Sequence, residues 1–362
     1  MSSSPILGPS RDDCKSPYDE ERMEWGPSVP KKYLRLPRLG RSNVILLLID
    51  VFIVTVLVNA FWPLITLLRR NEELFGARLT FELNGTSTPT LPEQQTIPRI
   101  FHQTSANETI RPAWADLVQS CKATYSDFEY MHWTDAKARD FIAEEYPWFI
   151  DTWDNFPFNI QRADAIRYFV LHHYGGIYLD MDTMCNATIP LEQIEANGAT
   201  HHAVFKSTTP TGVSNDMMIT SPRHPAFTKA LSRIQLYNDI TKPWRHIVPH
   251  VAVMVSAGPL FLTMALKNYL LEQPSLPENT VQVINATSLE PYLTDFEGAS
   301  WHHGDTKALM WVGDRPWVWY MLGAIGLGAG LYVVNMLMMK CWTRFFEKAP
   351  LSDEAKEGIK LT

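Results

Sequence analysis

N-I-Q-R-A-D-A-I-R-Y-F-V-L-H-H-Y-G-G-I-Y-L-D-M-D-T, residues Asn159 to Thr183, is the stretch on which the fold reading turns. Ile160, Ala163, Ile166, Phe169 and Val170 repeat at a helical period. The repeat stops at Gly175-Gly176, residues that tolerate the positive φ of a helix C-cap. Ile177-Tyr178-Leu179 then reads as a short buried strand that delivers Asp180 and Asp182 to its own end. In open α/β sheets ligands sit at the carboxyl ends of strands. Two carboxylates so close repel each other unless a cation lies between them. Hard oxygen donors favour Mg²⁺ or Mn²⁺, and those ions favour a phosphate-bearing substrate. On the preceding helix Asp164 and Arg167 are spaced i, i+3 and face one side, next to the strand end. The plainer alternatives are a solvated turn for Asp-x-Asp and a surface ion pair worth ~0.5 kcal/mol for Asp164 and Arg167.

The chain has 362 residues, 46% of them hydrophobic, enough for one large domain with extra segments. A net charge of −7 argues against a nucleic-acid partner, which would call for a basic face. No Cys-x-x-Cys, His-Glu-x-x-His or Gly-x-x-x-x-Gly-Lys pattern supports zinc or P-loop chemistry. Tryptophan (12) and tyrosine (13) are abundant; core packing, membrane-interface placement and sugar binding are each uses for them.

Two apolar runs frame the chain. Val44 to Leu68 is long enough to span a bilayer at about 1.5 Å per residue. Lys31, Lys32, Arg35, Arg38 and Arg41 precede it and outweigh Arg69 and Arg70, so the positive-inside rule puts residues 1–43 in the cytosol. Residues 1–30 read as a disordered tail. Asp50 and Asn59 lie inside this span; Asp50 faces another helix or sits among cytosolic headgroups, and a regulatory membrane subunit could dock there. The second run, Trp317 to Met339, opens with Trp317, Trp319 and Tyr320 and ends in Lys340, Arg344 and Lys348. Both termini, including residues 340–362, are thus expected in the cytosol. Gly326 and Gly330 offer a small-residue face to the first helix. Glycosylation sequons at Asn84, Asn107, Asn186 and Asn285 all fall between the two runs, which supports a lumenal middle. Of the cysteines there, Cys121 and Cys185 could pair, though spacing does not establish it.

Residues 69–96 read as a stem that serves as a spacer, and 97–310 as the lumenal domain. Ile97 to Thr104 is a strand, Ala113 to Thr124 a helix, Phe128 to Trp133 a strand and Asp135 to Glu145 a helix. This alternation predicts a mainly parallel sheet. Ala203 to Phe205 is a further strand, and Val213 to Ile219 an edge or active-site strand.

The segment R-x-D-x-x-R-Y-x-x-L-x-x-x-G-G-x-Y-x-D-x-D resembles the signature of glycosyltransferase family 32, sugar-nucleotide enzymes of the GT-A fold. The resemblance implies an α/β Rossmann-like mixed sheet with flanking helices, here with a transmembrane helix at each end. By that resemblance Asp180 and Asp182 bind Mn²⁺ or Mg²⁺ and the diphosphate, while Asp164 and Arg167 touch the donor sugar and its phosphate. I-P-R-I-F-H-Q-T is similar to the family's first strand, which makes Gln103 and Thr104 nucleotide-contact candidates, with loop capping as the alternative. Asn215 and Asp216 fall in a segment like the family's "sNdfm", facing the sugar or acceptor, or else forming a buried hydrogen-bonding pair. His302, rather than His303, is the expected third metal ligand, with Asp305 beside it. The aromatics between Tyr146 and Phe158 are expected beside the donor site.

Within the family, the second anchor and the S-W-H-x-G-D ending look like those of the fungal mannosyl-phosphorylinositol-ceramide synthases. The resemblance implies a retaining mannosyltransferase of the Golgi, or ER and Golgi, that moves mannose from GDP-mannose to inositol phosphorylceramide. A protein N-glycan α-1,6-mannosyltransferase of the same family and a non-catalytic regulatory scaffold are the alternatives. Clustered acids that destabilise each other without metal argue against the scaffold.

Overall fold

The computed structural model describes residues 41–82, 95–196, 198–209, 211–276, 280–296 and 315–346. Chain contacts separate two units, Met1–Ile49 and Asp50–Thr362; the first is described only from Arg41, as the opening of a helix. That helix, α1 (Arg41–Arg69), is followed by a short α2 (Asn71–Phe75). The body then runs β1 (Ile100–Ser105), α3 (Pro112–Thr124), β2 (Glu129–Thr134), α4 (Asp135–Glu145), α5 (Ile150–Asp154), α6 (Asn159–Tyr174), β3 (Gly176–Leu179) and β4 (Thr183–Cys185). It continues through α7 (Leu191–Glu195), β5 (Ala203–Ser207), β6 (Val213–Thr220), α8 (Pro225–Thr241), α9 (Pro249–Ser256) and α10 (Pro259–Leu271). β7 (Val281–Ile284), α11 (Ala286–Leu289) and β8 (Leu293–Asp295) complete it, and α12 (Pro316–Phe346) ends the described chain. His302, Asp305 and the sequon at Asn84 lie outside the described residues.

The central sheet has the order β2-β1-β3-β6-β5-β7, and β4 pairs with β8 in a separate antiparallel ribbon. Strand alternation sends Tyr178, Phe205 and Met218 into an apolar layer shared with α4, α6, α8 and α10. It sends Ile177, Leu179 and Val204 into a second layer on the opposite face, with α3 and α7. Local chemistry sets the ends of these elements. The Thr134 hydroxyl caps α4 by accepting from Lys137 N at 3.3 Å. Pro259 opens α10 right after Gly258, and the Thr263 hydroxyl of that helix bonds both the N–H and the carbonyl of Val213.

The sheet is the parallel-rich, mixed one expected. β1 is parallel to β2 and β3, and β5 to β7, while β6 runs antiparallel to both β3 and β5. The connection from β5 to β6 is too short for a helical crossover and turns the chain back on itself, as a hairpin must. β6 is therefore interior, not an edge strand.

The segment read as a spacer is also packed over residues 71–82. Leu74 and Phe75 are buried, Asn71 Oδ1 accepts from Thr211 and Gly212, and Leu79 bridges to Ile284 beside β7. Cys121 and Cys185 form a disulfide that ties α3 to β4.

Among the described residues three stretches are long and apolar enough to cross a membrane. In Asn43–Arg69 and Met321–Arg344 none of the most apolar window is buried in the protein, whereas 56% of it is in Pro249–Leu271, which Gly258 also interrupts; this third stretch is core. Toward the start of α1, Asp50 Oδ2 accepts from Asn335 Nδ2 of α12 at 2.9 Å. Gly326 and Gly330 do not provide the expected packing face: a Cβ at either would meet nothing within 4 Å among the described residues.

Candidate active site

The site begins with two glycines. Gly175 and Gly176 have φ of 71° and 95°. A Cβ on Gly175 would lie 2.7 Å from Pro222 N, and one on Gly176 would collide with the carbonyl of Ile100 in β1. Glycine is thus required both for the left-handed turn and for the approach of β3 to β1. That approach brings Tyr178 and the following acids to the carboxyl ends of two parallel strands.

A cleft of about 470 Å³ opens there. Its walls are the exit of β1 (Thr104 to Asn107), the β2–α4 junction (Trp133 to Asp135), Trp153 of α5, one face of α6 from Asn159 to Arg167, and Asp180 to Asp182. Arg111 stacks over Trp114 at one end, 4.6 Å from the ring centroid.

Arg167 is the hub. Its Nη1 meets Asp180 Oδ1 at 3.2 Å and donates to the carbonyl of Asn215 at 2.7 Å. Nη2 meets Asp164 Oδ1 at 3.1 Å, Nε donates to Ala163 O, and the guanidinium lies 4.8 Å from the Tyr178 ring centroid. Burial opposes its charge, but Asp180, Tyr178 and Asp164 outweigh that and hold it firmly protonated. Behind it, burial pushes the Asp164 carboxyl up to about 6, with Arg167 and the Asn215 hydrogen bond pulling the other way. The Asn215 amide donates to Asp164 Oδ1 and to the Tyr168 hydroxyl, both at 3.0 Å. Tyr168 in turn donates to Ala257 O at 2.7 Å.

Asp180 keeps 29% of its side chain exposed, yet the surrounding protein raises it to about 7. Burial is the main cause, Asp216 and Asp182 add to it, and Arg167 and the Tyr178 hydrogen bond oppose it. Tyr178 donates to Asp180 Oδ1 at 2.7 Å and so accepts from the Thr104 hydroxyl at 2.8 Å. Lys206 of β5 bridges Asp216 and Asp295, the latter at 2.7 Å, and Asp216 Oδ1 is buried with no partner among the described residues. Asp164, Asp180, Asp182, Asp216 and Asp295 thus outnumber the cations Arg167 and Lys206 that pair within the group.

This donor set suits a hard divalent cation. An orphaned carboxylate oxygen and the raised Asp180 carboxyl mark a shortage of positive charge, and the acids gathered there, Asp180, Asp182 and Asp216, offer hard oxygen donors. Among the described residues no three His, Cys, Asp or Glu side chains are placed to hold a metal alone. Mg²⁺-type sites commonly take one or two carboxylates and complete themselves with substrate phosphate and water.

Of the residues singled out in the sequence, Thr104, Arg167, Asp180 and Asp182 line the cleft. Asp164 and Asn215 stand behind Arg167. Gln103 points away, fully buried and accepting from Tyr130 at 3.2 Å. Asp216 faces Lys206. From the aromatic run only Trp153 reaches the cleft; Tyr146, Phe149 and Phe156 are core and Trp148 is half exposed. Sequence reading missed Tyr178, Tyr168 and Lys206. The first was legible, since alternation puts residues 178 and 180 on one side of a strand. A lysine closing the apolar run Ala203-Val-Phe was a weaker sign, and nothing local pointed to Asp295.

Residues 112–200 match the family model described as glycosyltransferase sugar-binding region containing DXD motif. Over 224 residues the chain is 41% identical to the mannosyl phosphorylinositol ceramide synthase SUR1 of Saccharomyces cerevisiae, covering 60% of this chain and 55% of that protein. It is 36% identical to inositol phosphoceramide mannosyltransferase 2 of Schizosaccharomyces pombe, covering 59% of this chain and 61% of that protein. With inositol phosphoceramide mannosyltransferase 1 of the same yeast the identity is 33%, over 66% of this chain and 72% of that protein. The chain spans little more than half the length of the first of these relatives. Among solved structures the PaToxG glycosyltransferase aligns at 17% identity and a TM-score of 0.34, over 48% of this chain and 70% of that one.

Proposed function

Because the chain belongs to the inositol phosphoceramide mannosyltransferase family of DXD-containing glycosyltransferases, we propose that it is a retaining mannosyltransferase acting on inositol phosphorylceramide with GDP-mannose as donor. The observation that carries this reading is the convergence of Asp180, Asp182 and Arg167 on one wall of the cleft, within the segment that matches the DXD family. Asp180 and Asp182 would hold Mn²⁺ or Mg²⁺, with His302 proposed as a third ligand and Asp305 as a contact behind it or to the donor. The ion supplies positive charge opposite a diphosphate leaving group.

The chain's own residues do the positioning. Arg167 holds Asp180 through an ion pair and a ring contact with Tyr178, while Tyr178 and Thr104 fix the other side of the same carboxylate. Asp164 and Asn215 keep the guanidinium in place through its Nη2 and through the backbone at Asn215. Thr104, at the exit of β1, and Trp133 line the cleft and would contact the nucleotide and sugar, with the buried Trp153 as backing. A buried, prearranged set of this kind stabilises developing charge without reorganising at the moment of reaction.

We place the body in the lumen of the Golgi or of the ER and Golgi, with both termini cytosolic. The Cys121–Cys185 disulfide fits an oxidising compartment, and the basic flanks of both spanning helices fit that orientation. The test is to give membranes containing the protein radiolabelled GDP-mannose or UDP-sugars and follow the label. Mannose label in alkali-stable lipid is the expected result; label in protein glycan, or in neither, overturns the reading.

A further inference from the structure

The corner between α8 and α9 carries apolar surface for which the catalytic reading has no use. Ile247 is 80% exposed, Ile240 51% and Leu236 48%, with Val248 beside them. Contiguous exposed apolar surface on a folded domain marks something that covers it. Lys242 and Arg245 sit among these residues, and Asp239 pairs with Lys242 at 2.7 Å.

Contacts on both sides say where this corner lies. On α8, Tyr237 falls between Leu236 and Ile240; its ring packs edge-on against Phe261 of α10 at 5.5 Å and its hydroxyl reaches Asn268. The neighbouring Lys267 donates from Nζ to the carbonyl of Pro63 in α1 at 2.9 Å. Phe61 and Trp62, the residues just before Pro63, are each 55% exposed, as expected of an aromatic belt where a spanning helix leaves the bilayer. The α8–α10 layer therefore meets the spanning helix at headgroup level. On the other side the His246 ring lies 6.3 Å from that of Phe158, the residue before Asn159 and Ile160 of the cleft wall.

We propose that the corner from Leu236 to Val248 is an interfacial membrane contact, its apolar side chains set among lipid headgroups and upper acyl chains, so that the mouth of the cleft opens at the bilayer surface. The occupant is lipid because the patch is continuous with a layer fastened to a spanning helix at its aromatic belt. Apolar side chains flanked by long cationic ones such as Arg245 are also the pattern of segments that lie in the headgroup region. An acceptor whose chains stay in the membrane then needs only its headgroup to enter the site.

The test uses the full chain in vesicles of phosphatidylcholine and phosphatidylinositol, with Cys14→Ser and Cys341→Ser. An environment-sensitive fluorophore is attached at Ile247→Cys and, for comparison, at Asp127→Cys, an exposed position in the loop leading to β2 at the far edge of the sheet. Quenching at 247 by nitroxide-bearing lipid and protection from iodide, with the reverse at 127, is the expected result. Iodide quenching equal to that at 127 overturns the proposal, and so does protection from both quenchers, which would mean a protein cover. A second arm rests on the lipid-acceptor reading: the Ile240→Asp/Ile247→Asp variant should lose about 10-fold in transfer to vesicle-borne acceptor through a higher KM, at unchanged donor hydrolysis. Unaltered transfer removes the handover role. If the parent labels no lipid at all, the acceptor reading has failed, while the quenching result stands independently.

Discussion

Asp164 and Asp50 are both carboxylates on helices in apolar surroundings, and the protein treats them differently. Around Asp164 every polar group is answered: Arg167 at 3.1 Å, the Asn215 amide at 3.0 Å, and Tyr168 tying that amide to Ala257. Around Asp50 there is Asn335 at 2.9 Å, while Asp50 Oδ1 and Asn335 Oδ1 have no partner among the described residues. Removing one member of a satisfied buried network strands the others, whereas a single interhelical hydrogen bond in a membrane contributes little. The difference is between a network tied into the cleft wall and a single contact between two long apolar helices.

The sharpest way to break the body's side of this contrast is at the acids themselves. Asp180→Ala or Asp182→Ala should reduce sugar transfer by ~100-fold or more with the fold intact, because charge opposite the leaving group is lost. Transfer measured with and without EDTA checks it, and full activity in metal-free buffer would sink the metal assignment.

Acid should separate the two regions next. His102 Nε2 donates to Gly175 O at 2.9 Å, and Nδ1 accepts from Trp133 at 3.0 Å, so the ring is held neutral. Burial lowers His102 to about 4, His172 to about 4 and His224 to about 3. The unfolded chain takes these protons first, near the usual value of about 6.5. The histidine contribution is therefore full above that pH and declines as pH falls toward 4, by about 3 kcal/mol from His102 alone, while Asp180 and Asp164, raised to about 7 and about 6, take protons first in the folded chain and offset part of that loss. Urea midpoints at pH 7.5 and pH 5 should fall together with tertiary signal from the body, while the helical signal of α1 and α12 in detergent persists. A His102→Gln variant whose midpoint falls as steeply with acid as the parent's would contradict the buried neutral His102.

A smaller loss is expected at the hub. Arg167→Lys replaces a planar fork by a point charge and should cost about 10-fold or more in kcat/KM. Asp164→Asn, which keeps the shape, should harm turnover more than thermal stability. Parent-like activity in both variants would reduce the pair to a structural contact.

The smallest effect belongs to the membrane pair: Asn335→Leu should weaken α1–α12 association by roughly 0.6 kcal/mol. Crosslinking yield between the helices measures it, with transfer activity nearly unchanged. A collapse of activity would mean that this hydrogen bond does more than pair two anchors.

The local parts of this architecture were open to reading because each is written in neighbouring residues. The periodic run of α6 ending at two glycines, the strand after it and the Asp-x-Asp at its end follow from spacing alone, as do the two helices long and apolar enough to cross a membrane. What depended on chain distant in sequence was decided only by tertiary structure. β6 runs antiparallel inside the sheet, residues 71–82 pack against it instead of hanging as a spacer, Cys121 meets Cys185, and Lys206 brings Asp295 to Asp216. The physical reason is the same in each case. Periodicity and capping report the energetics of a few adjacent residues, whereas pairing across many residues is chosen by which buried surfaces and charges satisfy one another once the layers close.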